Sequence, residues 1–349
     1  MKKKVGLLFG LLLLVVALMS GGTVWATESD ASENEAGFTM EALLPDNQLD
    51  DSSFFKMKVT PKTEQDLTIR LTNLEDTEMT LTVSPNPAFT NQAGVIEYSD
   101  YKRAKDSSAQ YTIPELFSEP QKVKLKAKEA KDVTFKLTVP EQAFTGTILG
   151  GFYALKETGE TSDSEENLSI QNRYAMVMGI SLQEDTETVI SPELKLNAIK
   201  PGLDNGRTAV FANLQNIKPQ AFGEMTVTAK VSPKGSTEVL HETKKEKQEM
   251  APNSNYDFAI DWDDEAIEAG DYHLSLVAQS GKKEWKFEED FTIVDQEAEK
   301  LNEQAVGLTK SDYTWLYILI AILLMLILVI LAFILGRRKR KQDEVDSQK

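Results

Sequence analysis

Cysteine is absent from the 349 residues, which excludes disulfide frameworks, thiolate metal sites, thiol nucleophiles and lipid attachment at a cysteine. An exported chain of this kind must be held together by its hydrophobic cores. Histidine is scarce, with only two copies, so chemistry that needs several imidazoles is out of reach. Gly-rich phosphate loops, elbow serines and histidine zinc motifs do not occur. Positive charge is lacking where most of the chain lies. Nine of the 38 basic residues sit in the two ends and three of the 55 acidic ones in the tail, leaving 29 against 52, or −23, for the middle section. Such a body is repelled by phosphate backbones, so nucleic acid is not an expected partner.

Long apolar runs are confined to the two ends. Lys2, Lys3 and Lys4 precede an apolar stretch from Val5 to Met19, and small residues around Gly21 to Ala26 follow it. That is the three-part layout of a secretory signal, with cleavage expected after Ala26. Trp315 to Leu335 carries no charge and as a helix would extend about 31 Å, the thickness of a hydrocarbon core. Arg337, Arg338, Lys339, Arg340 and Lys341 follow as a stop-transfer run, with Tyr313, Trp315 and Tyr317 as an aromatic belt on the other side. Positive-inside asymmetry then places the tail in the cytoplasm and the body outside the cell.

Between the ends, apolar and polar residues alternate in short runs, the period of half-buried strands. Phe55/Met57/Val59, Leu67/Ile69/Leu71, Met79/Leu81/Val83, Val123/Leu125 and Phe135/Leu137/Val139 mark the first half. Val210/Ala212/Leu214, Met225/Val227/Ala229/Val231 and Tyr256/Phe258/Ile260/Trp262 mark the second, with Asn205-Gly206 as a hairpin turn. The expected fold is all-β: two tandem immunoglobulin-like β-sandwich domains followed by one transmembrane α-helix. The acidic stretch Glu157 to Asn167 is either a hairpin loop or a linker, and Tyr174 to Ile180 could pair back onto Ile148 to Leu155. Ile148 to Tyr153, with its two glycines, could be a bulged strand with close backbone approach. Ala269-Gly270-Asp271-Tyr272 resembles a tyrosine corner, in which a hydroxyl bonds back to the backbone.

Catalytic candidates are thin. By alternation His273 points away from the Tyr272/Leu274 face, and His241 lies in a Lys- and Glu-rich stretch, so both are expected in solvent. Asp261, Asp263, Asp264 and Glu265 lack the register of a calcium loop and read as a solvated acidic turn. Paired carboxylates are many, but a sequence cannot set two of them across a glycosidic bond. No metal or cofactor is expected, nor enzymatic activity; a wall-modifying enzyme is the remote alternative. What remains suits binding. The connection Ala88 to Tyr98, then Tyr101, mixes aromatic and amide side chains. Phe89, Asn91, Tyr98 and Tyr101 could stack on sugars and bond amides, or Phe89 and Tyr98 could be core plugs beneath a loop.

At these residues the chain resembles the WxL-interacting proteins of Gram-positive bacteria. The likeness rests on LPDNQ (Leu44 to Gln48), AFTNQAGVIEY (Ala88 to Tyr98), FTGTILGGFY (Phe144 to Tyr153), NLQN (Asn213 to Asn216), MAPNSNYDF (Met250 to Phe258) and AGDY (Ala269 to Tyr272). It implies a signal peptide at 1–26 and a peptidoglycan-binding-type domain at 37–165, whose last strand extends to 184 if the acidic stretch is a hairpin loop. A host- or WxL-protein-binding-type domain at 166–297, a stalk at 298–312, a membrane helix at 313–336 and a basic tail at 337–349 follow. The implied partners are peptidoglycan, WxL-domain surface proteins and a host matrix protein such as fibronectin. The implied place is the cell membrane, spanned once, with the body outside.

Overall fold

The computed structural model describes residues 35–157, 172–308 and 318–330. The expected signal segment with Ala26, the acidic stretch 158–171 and the basic run Arg337 to Lys341 lie outside the described residues. In chain order the first unit contains β1 (Phe38–Leu43), β2 (Phe55–Lys58), β3 (Glu64–Asn73), β4 (Met79–Pro87), β5 (Phe89–Thr90), β6 (Ile96–Glu97), α1 (Ile113–Leu116), β7 (Gln121–Leu125), β8 (Ala130–Thr138), β9 (Thr147–Lys156) and β10 (Ala175–Gln183). The second contains β11 (Leu194–Asp204), β12 (Arg207–Asn216), β13 (Phe222–Pro233), β14 (His241–Met250), β15 (Ser254–Asp261), β16 (Gly270–Ser280), β17 (Lys283–Ile293) and α2 (Asp295–Gln304). The protein is therefore predominantly β-sheet.

Each unit is two sheets around one core, because period-two patterning gives every strand a single apolar face to hide. In the first, β1-β3-β8 faces β2-β10-β9-β4-β7. The alternating residues Leu67, Ile69, Leu71, Leu81, Val83, Phe135 and Leu137 all enter the shared core. At its centre Phe152 stacks on Phe135 at 4.6 Å and meets the edges of Phe117 and Phe55 at 5.4 and 5.8 Å. In the second unit β11-β12-β15 faces β14-β13-β16-β17, enclosing Leu214, Val227, Phe258, Ile260 and Leu276.

β10 pairs antiparallel with β9 in unbroken register from Ala175 opposite Leu155 to Gln183 opposite Thr147, and parallel with β2. The segment after the acidic stretch thus returns to the first unit's sheet. No bulge interrupts β9 against β10 or β4, so the bulge reading of Ile148 to Tyr153 is corrected. The close approach is real: a Cβ on Gly150 would collide with the Asn86 carbonyl and with Ile113 of α1. Asn205 and Gly206 have φ of 49° and 81° and join β11 to β12 as a two-residue hairpin turn.

The expectation for His241 changes. His241 opens β14 and is 5% exposed, stacked on Trp262 at 4.0 Å with Nδ1 2.9 Å from Asp263. Its side chain falls on the apolar side of a strand whose flanking charges concealed it. His273 does point away from the Tyr272/Leu274 face, at the surface between Asp290 (2.7 Å) and Glu288 (2.9 Å) of the adjacent β17. α2, which runs from the end of the expected second domain into the expected stalk, lies against the second unit: Asn302 and Ile267 exchange two hydrogen bonds at 2.8 and 2.9 Å, and Ala298 is buried. Of the segment 313–336, residues 318–330 are described; they are helical and exposed. Among the described residues no helix is long and apolar enough to cross a membrane.

Candidate functional site at the junction of the two units

After β4 the chain leaves the sheet and does not return until β7. The excursion begins with the β5–β6 hairpin. Asn91 makes its turn: Oδ1 accepts from the N–H groups of Ala93 (3.0 Å) and Val95 (3.1 Å), and Nδ2 donates to Glu97 Oε2 (2.9 Å). Short polar side chains bond their own loop in this way, which leaves little capacity for a ligand. Gly94 closes the turn with φ of 73°, where a Cβ would strike the side chain of Gln248 in the second unit.

That contact belongs to a continuous seam. Glu249 N–H donates to the Gly94 carbonyl at 2.6 Å, and Ile96 N–H donates to Glu249 Oε2 at 3.2 Å. The Thr90 hydroxyl accepts from Ala251 N–H and lies against the Ser254 hydroxyl, both at 2.9 Å. Asn253, at φ 48°, donates to Ser108. Thr147 N–H donates to the Pro219 carbonyl at 2.8 Å. Buried backbone groups must be paired; here each unit completes the other's accounting, so the two are locked rather than loosely tethered.

Asp106 is the charged centre of the seam. Its oxygens accept from Gln215 Nε2 and Asn255 Nδ2 across the junction, both at 2.6 Å, and from the Ser108 N–H and hydroxyl at 2.9 and 2.7 Å. Burial raises its pKa, but the hydrogen bonds from Ser108, Asn255 and Gln215 together outweigh burial and leave it below the ordinary value. Behind Gln215 and Asn255 the outer face of β11-β12-β15 carries an amide row. Asn197 donates to Asn213 (2.9 Å) and Gln215 (3.1 Å), and Asn213 donates to Asn255 (3.2 Å) and Asp257 (2.7 Å).

The excursion and this row enclose a polar cleft of about 680 Å³, adjoined by a second depression of about 550 Å³ beside Phe89. Arg103 borders both. Its guanidinium lies 4.5 Å above the centre of the Phe89 ring, a cation–π contact.

The residues expected to bind sugar are distributed otherwise than the sequence suggested. Phe89 is 8% exposed and serves as the platform beneath Arg103, so its ring is not open to a ligand. Asn91 is occupied by its turn. Tyr98 is half-buried; its carbonyl accepts from Asn86 Nδ2 at 2.7 Å, and burial, then the charge of Glu249, raises its hydroxyl pKa. Tyr101 donates to Glu119 at 3.2 Å on the outside of the loop. The excursion brings the four into one region, where Phe89 and Tyr98 border the seam, Asn91 holds the hairpin turn and Tyr101 stays on the outer side. Arg103, Asp106 and the amide row went unrecognised. The one local trace is that Lys102, Arg103 and Lys105 crowd three cations into an acidic body.

Outside the junction, the Tyr272 hydroxyl donates to the Glu268 carbonyl at 2.9 Å, the geometry of a tyrosine corner. Asp263 and Asp264 both have positive φ, with Asp264 paired to Arg207 at 3.0 Å. Among the described residues no group of three or more histidines and carboxylates could hold a metal ion.

Family models match both units. Residues 38–156 match the WxL Interacting Protein peptidoglycan binding domain and residues 165–303 the WxL Interacting Protein host binding domain. The second match begins before β10, a strand the fold places in the first unit's sheet. No curated protein matches the chain. Solved structures with a likeness include a chaperone–tip adhesion subunit pre-assembly complex of Acinetobacter baumannii Csu pili. It is 13% identical, covering 72% of this chain and 97% of that one at a TM-score of 0.30. The E. coli chaperone DraB is 10% identical, covering 72% and 95% at 0.27. A PapD-like domain of human CEP192 is 13% identical, covering 47% and 96% at 0.28. At these scores no argument about this protein rests on the likeness.

Proposed function

The chain belongs to the WxL Interacting Protein family, and from that premise we propose that it is a non-catalytic scaffold of the Gram-positive envelope, holding peptidoglycan and WxL-domain surface proteins together near the membrane. Its two matched domains support a surface binding role. The observation that carries the finer reading is the seam. The loop Ala88 to Tyr98 of the peptidoglycan-type unit is hydrogen-bonded to Glu249 and to the turn Met250 to Phe258 of the host-type unit. A ligand gripped by one unit is therefore held at a fixed distance from whatever the other grips, which is the mechanical requirement of a scaffold.

In this reading each unit is an immunoglobulin-like sandwich, and the apolar, charge-free residues 318–330 lie within the single membrane span that tethers the body outside the cell. Two sandwiches, each about 40 Å long on an extended-strand estimate, reach the inner part of a thick wall. Peptidoglycan and partners held there are within range. The host binding domain match supports a second reading, direct adhesion to a matrix protein such as fibronectin.

The test uses the full chain in detergent micelles. It should co-sediment with insoluble peptidoglycan and capture a WxL-domain protein. Enrichment of neither, relative to an unrelated acidic β-protein, would refute the scaffold. Adhesion of intact cells to fibronectin that persists unchanged after the gene is removed would dispose of the second reading.

A further inference from the structure

We propose that the cleft between the two units is a carboxylate-binding site, in which Arg103 takes a free carboxylate of a peptidoglycan stem peptide and the amide row of the second unit takes the peptide's amides. The inference rests on the peptidoglycan reading above and adds to it the place, the residues and the part of the polymer recognised.

The argument starts from the guanidinium. Arginine presents a planar fork that matches a carboxylate with two parallel hydrogen bonds. Arg103 is exposed and makes no ion pair among the described residues. It is nevertheless not free to wander, because its guanidinium sits over the Phe89 ring, which is itself buried. A pre-oriented, unpaired guanidinium at the mouth of a polar cleft has already surrendered much of the side-chain entropy that binding would otherwise cost.

Of the acids near it, Glu97 feels the guanidinium's charge from beyond ion-pair distance and Asp100 accepts from the Lys102 N–H, while the cleft's other two carboxylates are turned to side-chain amides. Asp106 is engaged by Gln215, Asn255 and Ser108, and Asp257 accepts from Asn213 at 2.7 Å. Nearby Lys105 is bound to Glu115 at 2.8 Å, whereas Lys102 makes no ion pair among the described residues and adds to the positive rim. The cationic wall comes from the first unit and the amide wall from the second, so neither unit holds the complete site.

The opposite wall selects what accompanies the carboxylate. The chain of amides from Asn197 through Asn213 to Asn255 is held in register by its own hydrogen bonds. Asn197 donates twice, and its Oδ1 accepts from no group among the described residues. Both N–H groups of Asn197 and of Asn213 are spent inside the row, so the wall offers a ligand chiefly acceptor capacity at Asn197 Oδ1, the complement of a peptide N–H. In intact peptidoglycan the lactyl carboxylate is already amide-linked to the stem, so the free carboxylates, and most of the amides, belong to the stem peptide. A sugar whose lactyl carboxylate is capped as a simple amide would keep an amide for the wall but leave Arg103 without an anion.

The experiment compares the full-length protein with Arg103→Gln, Arg103→Lys and Asn197→Ala. Titration calorimetry is run with a soluble disaccharide-peptide, with the same compound whose stem carboxylates are amidated, and with the peptide-free disaccharide whose lactyl carboxylate is capped as an amide. Loss of a charge-assisted bidentate contact should weaken the first ligand about tenfold or more in Arg103→Gln. Arg103→Lys should fall between, and Asn197→Ala should weaken binding with the melting midpoint unchanged. The amidated ligand should bind weakly and be indifferent to Arg103→Gln. Equal binding of the acid-bearing ligand by wild type and Arg103→Gln, while both still sediment with insoluble peptidoglycan, would sink the cleft assignment and leave the scaffold reading standing. Equal affinity for the peptide-free disaccharide would overturn the stem-peptide assignment. Failure of the wild type to sediment at all would remove both.

Discussion

Replacing Asp106 with alanine should uncouple the two units. The carboxylate joins the excursion of the first unit to Gln215 and Asn255 of the second. Gln215 is 7% exposed, and its Nε2 has no other acceptor among the described residues, so the variant leaves a buried donor unsatisfied, at about 1–3 kcal/mol. Asn255 is half-buried and can turn to water, which makes its loss smaller. Together with the forfeited charge-assisted bonds, a coupling loss of about 2–4 kcal/mol is expected. Differential scanning calorimetry of the full chain is the assay. Wild type should unfold its two units in one transition, whereas Asp106→Ala should separate two transitions or lower the shared midpoint. Acid should mimic the mutation. The folded-state pKa of Asp106 is depressed, so its contribution is fully present well above the unfolded value of about 3.9 and is lost as pH falls through the lower folded value. An unchanged single transition in Asp106→Ala, with the same acid sensitivity as wild type, would refute the claim that this carboxylate couples the units.

Three further outcomes are expected. Phe152→Ala removes the ring on which Phe55, Phe117 and Phe135 converge and should cost about 3–5 kcal/mol by denaturant titration. Tyr272→Phe deletes the hydrogen bond to Glu268 beneath a side chain only 7% exposed; a stability loss of about 1–3 kcal/mol, with ligand preference unaltered, is expected, and an unchanged midpoint would show the hydroxyl merely solvated. His273 has a raised pKa because Asp290, then Glu288, bond its imidazolium. Its contribution should be fully present below about pH 6.5 and decline as pH rises through the folded value, a small slope that His273→Gln should flatten in a pH series of melting curves.

The strands were legible because their signal is local. A pleat turns every second residue to the same side, so Leu67/Ile69/Leu71 or Val227/Ala229/Val231 disclose a buried face within five residues of chain. The turn at Asn205-Gly206 and the corner at Tyr272 were readable for the same reason: left-handed φ at two adjacent positions, or a hydroxyl reaching four residues back, is short-range chemistry. β14 escaped because it is an edge strand whose sequence, His241 to Met250, is mostly Lys and Glu, a composition that discourages pairing with stray strands but erases the alternation.

What the sequence by itself determined is therefore the class of the chain: a cysteine-free, acidic, strand-built body between two apolar ends, with family blocks spread along both halves. Only the tertiary structure decided that those blocks meet. Asp106 reaches residues 109 and 149 positions away, and Thr90 one 164 positions away, with no periodicity to announce it. Phe89 could stack on a sugar or support a cation with equal chemical ease, and the difference lies in where Arg103 is brought by the fold. Side-chain type limits what a residue can do, but the choice among those acts depends on neighbours that the chain supplies from afar.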